Sequence, residues 1–186
     1  MSIKKLGLLS GICVVVISIS VYFYLDRTLV NTVYSNPDWD PYTNAEELES
    51  ASDLIAIVKP TGEKKHIMEK DNGGIPIWYW TESTVLIQEI VYSRDGLVKP
   101  GENIIVIEPY SIGENTTVGK LEILQEDYTK LIENNEYVIH LKKKEKEDVY
   151  LPVAKDQGKI NISQLENSKF SGIHKEVLDK YELSIQ

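Results

Sequence analysis

The sequence predicts a mainly β protein: a small antiparallel barrel or sandwich, with a short helix at each end and one apolar helix in front. Three observations carry this. Short runs of β-branched and aromatic residues recur at fairly even spacing, separated by glycine- and proline-bearing turns. Helical periodicity is confined to two segments flanking those runs. A 20-residue stretch without charge, Leu6 to Leu25, precedes everything else.

Leu6 to Leu25 reads LGLLSGICVVVISISVYFYL, and a helix of that length is about 30 Å long, the thickness of a hydrocarbon core. Lys4 and Lys5 precede it, and Tyr22, Phe23 and Tyr24 crowd its far end, where aromatic rings favour the interface. The expectation is a transmembrane signal anchor over 6–25, with residues 1–5 in the cytoplasm and the C-terminal domain outside. A cleaved signal peptide is the second reading, through Ser18-Ile19-Ser20, although four apolar residues would follow the cut. A lipoprotein is the third. Ser10-Gly11-Ile12-Cys13 has Ile12 where a small side chain is needed, so Cys13 reads as a small apolar residue within a membrane helix. Cys13 is the sole cysteine, so the outer domain has neither a disulfide nor thiol chemistry.

The chain has 186 residues and a net charge of −9. Setting aside Lys4, Lys5, Arg27 and Asp26 around the apolar stretch leaves 17 basic against 28 acidic residues, or −11. So acidic a domain repels phosphate backbones, which excludes nucleic acid as an expected partner, and it should not lie flat on anionic lipid.

Residues 26–42 are expected to form an irregular stalk. Within it Asp38 and Asp40 flank Trp39, a polar turn rather than a calcium loop, which needs more ligands at fixed spacing. The outer domain then occupies 43–186. Thr43 and Glu46 form a capping box for a two-turn helix over roughly 44–52. Strands are expected at Leu54–Lys59, Lys64–Lys70, Pro76–Tyr92, Asn103–Glu108, Leu121–Leu124, Tyr137–Lys142, Asp148–Val153 and Lys159–Ile162. Pro109 to Lys120 reads as a loop, and KKKEKED over 142–148 as a solvated hairpin tip. Ser171 to Leu183 reads as an amphipathic helix bearing Ile173, Val177, Leu178 and Tyr181 on one side.

From Glu46 to Ile162 the order ASDLIAIVKPTG, ESTVLIQEIVYS, KPGENIIVIE, LIENNEYVIHLK and VYLPVAKDQGKINI resembles a group of uncharacterised extracytoplasmic, membrane-anchored proteins of Gram-positive bacteria. The resemblance implies an OB-like β-barrel, similar to the netrin and metalloproteinase-inhibitor modules. It departs where the usual lysine-glycine after the long strand is replaced by Asp95-Gly96, and where Asn135 stands for a glycine. It implies a fold and a location but no reaction. Protease inhibition in the animal modules is built on an N-terminal cysteine that this domain lacks.

Candidate chemistry is sparse. His66, His140 and His174 have no metal-ligand spacing, and His140, inside the strand YVIHLK, reads as a half-buried structural residue. No nucleophile elbow, S-x-x-K or phosphate-binding loop occurs, and nothing pairs two carboxylates as acid and base. The expectation is no catalytic residue, no metal and no cofactor. The protein is read as a binding or interaction module of the cell envelope whose partner is an unidentified protein or envelope ligand. Two alternatives stand beside it: a structural or sensory ectodomain acting through a membrane partner, and an enzyme with an unrecognised site.

One stretch offers a candidate site. In the long strand, Val85 and Ile87 share a parity expected to face the core, and Trp78 and Trp80 share the other. A bulge near Thr81 to Ser83 would reset that phase. The indoles are expected to be covered by the terminal helix or the stalk. Left uncovered, Trp78 and Trp80 form the best candidate binding patch.

Overall fold

The computed structural model describes residues 3–36, 41–115, 118–162 and 169–183. The chain runs α1 (Ile3–Thr28), β1 (Val30–Ser35), α2 (Ala45–Ser50), β2 (Leu54–Lys70), β3 (Pro76–Ser93), β4 (Asn103–Glu108), β5 (Tyr110–Glu114), β6 (Lys120–Gln125), β7 (Tyr137–Lys143), β8 (Val149–Pro152), β9 (Lys159–Asn161) and α3 (Ser171–Lys180), with a 3-10 turn at Lys155–Gly158. The protein is mainly β, as its alternating runs dictate.

The larger sheet closes on itself. β2 pairs with β3, β3 with β4, β4 with β8, β8 with β7, and β7 returns to β2, so five strands form a ring with β9 added beside β7. Four of the five contacts are antiparallel, but β4 and β8 are parallel, which corrects the purely antiparallel expectation. The cause is topological: after β4 the chain leaves the ring through β5 and β6 before returning, and such a detour permits a parallel neighbour where a tight hairpin does not. Inside the ring lie Leu54, Ala56, Val58, Val85, Ile87, Ile104, Val106, Tyr137, Ile139, Leu141 and Tyr150, capped by Leu131. Each large side chain removed from water here contributes about 2 kcal/mol.

β7 is buried on both faces. Its other parity, with Ile55 and Ile160, packs beneath α2 and α3 against Leu48, Val177 and Leu178. Gly158 lets the 3-10 turn close over β7, because a Cβ there would stand 2.0 Å from the Val153 carbonyl oxygen.

The second sheet orders β1, β6 and β5 and packs on the far half of the β2–β3 hairpin. Two expectations change here. The stalk is not irregular throughout, since β1 pairs in parallel with β6 from Val30↔Lys120 to Ser35↔Gln125. The loop expected at Pro109–Lys120 contains β5, paired antiparallel with β6. Both segments have the β-branched and aromatic residues of strands, and scattered polar neighbours hid them. Asp38, Trp39 and Asp40 lie outside the described residues.

Smaller corrections follow from local chemistry. The short helix is capped one residue later than expected: the Asn44 side chain accepts from the Glu47 amide, and Glu47 reaches back to the Thr43 amide at 2.9 Å. The box is therefore Asn44–Glu47, because asparagine accepts at least as well as threonine. Leu54–Lys59 and Lys64–Lys70 are one strand, interrupted by a bulge over Thr61–Glu63. In β3 the run Thr81, Ser83, Val85, Ile87 is buried without a break. The phase resets at Gln88 and Val91, which the register skips, and not near Thr81–Ser83.

α1 covers the apolar stretch, and its large side chains from Val14 to Leu25 are exposed all round. Among the described residues, however, no helix is long and apolar enough to cross a membrane. The described side chains of α1 begin only at Cys13, so the expected span draws no support from them.

The Gly158→Ala variant should lose about 3 kcal/mol of stability, because the turn must move off β7 to admit the methyl group. Chemical denaturation of the two proteins measures it, and equal midpoints would show that the turn shifts freely.

Candidate functional site

The two indoles singled out by sequence do share the outward parity of β3, and they part company in their surroundings. Trp78 is 66% exposed near the free end of the hairpin, opposite Glu69. Neither the terminal helix nor the stalk covers it among the described residues, which corrects that expectation. Trp80 is half-buried opposite Ile67. It lines a cleft of about 260 Å³ with Tyr79, Ile107, Pro109, Gln125, Leu151, Pro152 and Lys155.

This cleft is on the outside of the barrel, where β3, β4 and β8 lie side by side. β3 delivers Trp80, β4 delivers Ile107, and β8 delivers Leu151. Ile105 and Leu151 are 36% and 38% exposed on the same strands, so the apolar surface continues past the cleft. Its single cationic lining residue is Lys155, which follows the left-handed Ala154 and donates to the Glu126 carbonyl at 3.1 Å. An indole, aliphatic walls, the Gln125 amide and one ammonium suit an amphipathic ligand held by stacking and one or two hydrogen bonds. No carboxylate or histidine lines the cleft among the described residues.

A second constellation lies at the junction of the two sheets. Glu108 ends β4 with no exposed surface. Its carboxylate accepts from Ser83, from Tyr128 at 2.9 Å and from the Leu131 amide at 2.8 Å, and Lys64 stands 3.4 Å away. Lys64 also donates to Tyr110 at 3.1 Å and to the Leu131 carbonyl at 2.7 Å. Beyond it, Lys159 sits 3.9 Å from the centre of the Tyr128 ring and 2.9 Å from Asp156. Burial and the neighbouring Glu108 charge push the Tyr128 hydroxyl well above its ordinary range. Every member is satisfied by protein partners, so this is a closed structural network. An acid before a proline at the end of an apolar strand, Glu108-Pro109, is the only sequence signal of it.

The histidines stay apart. His66 meets Thr81 at 2.8 Å, and His174 on α3 meets the Asp156 carbonyl at 3.0 Å. His140 is buried more deeply than the half-burial expected: it has no exposed surface, because β7 is covered on both faces. Neither of its ring nitrogens has a hydrogen-bond partner of normal geometry among the described residues. Burial pushes its pKa down to about 4, partly opposed by the Gly158 backbone and the Glu49 charge. At the tip expected to be solvated, Lys144 pairs with Glu147 at 2.7 Å, so the tip neutralises itself. Among the described residues no three His, Cys, Asp or Glu side chains are grouped to hold a metal.

No protein-family model matches the chain, and no curated protein matches it.

His140 makes folding pH-dependent. Its pKa is about 6.5 unfolded and about 4 folded, so the unfolded chain binds the extra proton between those values. Stability is therefore full above pH 6.5 and falls as pH drops towards 4, by about 3 kcal/mol from this residue. Burial also lowers the pKa of His66 and His174, which adds in the same direction. Denaturation midpoints measured across this range should fall less steeply in His140→Leu than in the wild type. Parallel slopes would remove His140 as the cause.

Proposed function

We propose that the protein is a membrane-anchored binding module of the bacterial cell envelope, with its barrel domain outside the membrane and its ligand on the outer face of β3, β4 and β8. The observation that carries this is the Trp80 cleft, an open apolar recess floored by barrel strands and rimmed by few polar groups. Ring order adds support. Three meandering strands, with the third parallel to the fifth, are the connectivity of an OB-type barrel, and ligands of that fold lie across its second and third strands. β3 and β4 are those strands. The anchor rests on the uncharged stretch Leu6 to Leu25 within a 26-residue helix. The lysines before it favour a cytoplasmic N-terminus. Envelope location in a Gram-positive bacterium rests on the resemblance alone.

Two measurements test the reading. The full chain in lipid nanodiscs is titrated with a panel of wall-glycan fragments and short peptides, followed by tryptophan emission. A ligand that saturates the wild type should bind Trp80→Ala about 30-fold more weakly, about 2 kcal/mol, and Trp78→Ala unchanged. Equal affinity in Trp80→Ala would place the ligand elsewhere. Protease added to intact cells should remove the domain. Protection of the domain while a known outer protein is cut would reverse the orientation.

A further inference from the structure

We infer that the turn joining β2 to β3 is a second membrane contact, in which Ile75, Ile77 and Trp78 enter the interface of the leaflet into which α1 leads. The inference rests on the anchor reading above, and goes beyond it by assigning a lipid-facing surface to the folded domain.

A chain of contacts sets the height of this turn. α1 ends at Thr28, and Leu29 alone separates it from β1. The Leu29 amide still bonds to the Leu25 carbonyl at 2.8 Å, and the Gly119 amide bonds to the Asp26 carboxylate at 3.1 Å, so helix and sheet are joined without slack. β1 leads away from α1, and β6 runs parallel to it from Val30↔Lys120. β5 runs the other way, so its last residue, Glu114, returns to the level of Lys120. β2 follows β5 in the same sense, from Lys64 at Tyr110 to Lys70, which donates to the Glu114 carbonyl at 2.8 Å. Lys70 is thus level with the end of α1, and the turn after it extends further in that direction.

Asp71, Asn72 and Gly73 of the turn are exposed, and an apolar cluster stands beside them. Ile75, Ile77 and Trp78 are 63%, 56% and 66% exposed. Such residues at the tip of a hairpin cost nothing extra only if something other than water receives them. The turn is also rigid. The Asp71 carboxylate accepts from the Gly73 amide at 2.9 Å and the Ile75 amide at 2.8 Å, and the Asp71 amide bonds to the Ile75 carbonyl. Gly74 adopts φ +80°, which closes the turn. The presented side chains therefore pay little ordering entropy on insertion. Tyr22, Phe23 and Tyr24 mark the interface depth on α1, and an indole prefers the same depth. The domain's negative charge opposes a flat approach to anionic lipid; at the turn, the Asp71 carboxylate is held by the Gly73 and Ile75 amides while the apolar side chains stand beside it.

The test uses the full chain in phosphatidylcholine vesicles, with Trp39→Phe and Trp80→Phe leaving Trp78 as the reporter. In either orientation the tip meets the leaflet into which its own helix leads. Lipid brominated high in the acyl chain should quench Trp78 emission roughly twofold, with weak quenching by aqueous acrylamide. Ile75→Ser with Ile77→Ser should abolish the lipid quenching while circular dichroism stays unchanged. Emission indifferent to bromine and fully open to acrylamide, in protein that still floats with vesicles after alkaline carbonate washing, overturns the tip contact alone. Protein that fails to float overturns the anchor, and this inference with it.

Discussion

The buried Glu108 carboxylate is the constraint on which both sheets depend. It sits where β4 ends and β5 begins, one residue before Pro109, so the strand that leaves the barrel is pinned as it departs. Its partners come from β3 through Ser83, from β2 through Lys64, and from the connection into β7 through Tyr128 and Leu131. A carboxylate taken from water costs several kcal/mol unless its lone pairs are filled, and here three donors and an ammonium fill them. Any slip of one strand would leave a buried charge short of partners, so the network selects one register among several that the apolar pattern alone would tolerate.

That register explains the division of labour along β2 and β3. The first half of β2 and the second half of β3 belong to the ring, where Val58, Val85 and Ile87 fill the interior. The second half of β2 and the first half of β3 support the smaller sheet, with Gly113 admitting Met68 so closely that a Cβ would meet its sulfur at 2.9 Å. The same pleat that turns Thr81 and Ser83 inward turns Trp78 and Trp80 outward. The outer face of the barrel is thus a by-product of the core's needs, and Ile105, Ile107 and Leu151 join Trp80 there because β4 and β8 are neighbours in the ring.

Much of this was legible in the residues. The strand run Asn103–Glu108 is met to the residue, and the long strand ends within one residue of expectation, because turn chemistry brackets both: Gly73-Gly74 before the one and Lys99-Pro100-Gly101 before the other. The inward parity of Val85 and Ile87 also followed from alternation. What escaped were features settled far away in sequence. β1 is a strand only because β6 lies beside it, some ninety residues on. The parallel β4–β8 contact has no local signature. In the cleft, Trp80 could be named from its parity, but Ile107, Leu151 and Lys155 are brought to it by ring closure, which no window of sequence contains.

The single residue between α1 and β1 has a mechanical meaning. A helix that feeds a strand through Leu29, with Asp26 latched to Gly119, behaves as a shaft welded to its blade. Rotation or tilt of α1 must carry β1 and, through β6, the whole smaller sheet. Torque applied at one end of the molecule is transmitted to the other instead of being lost in a swivel.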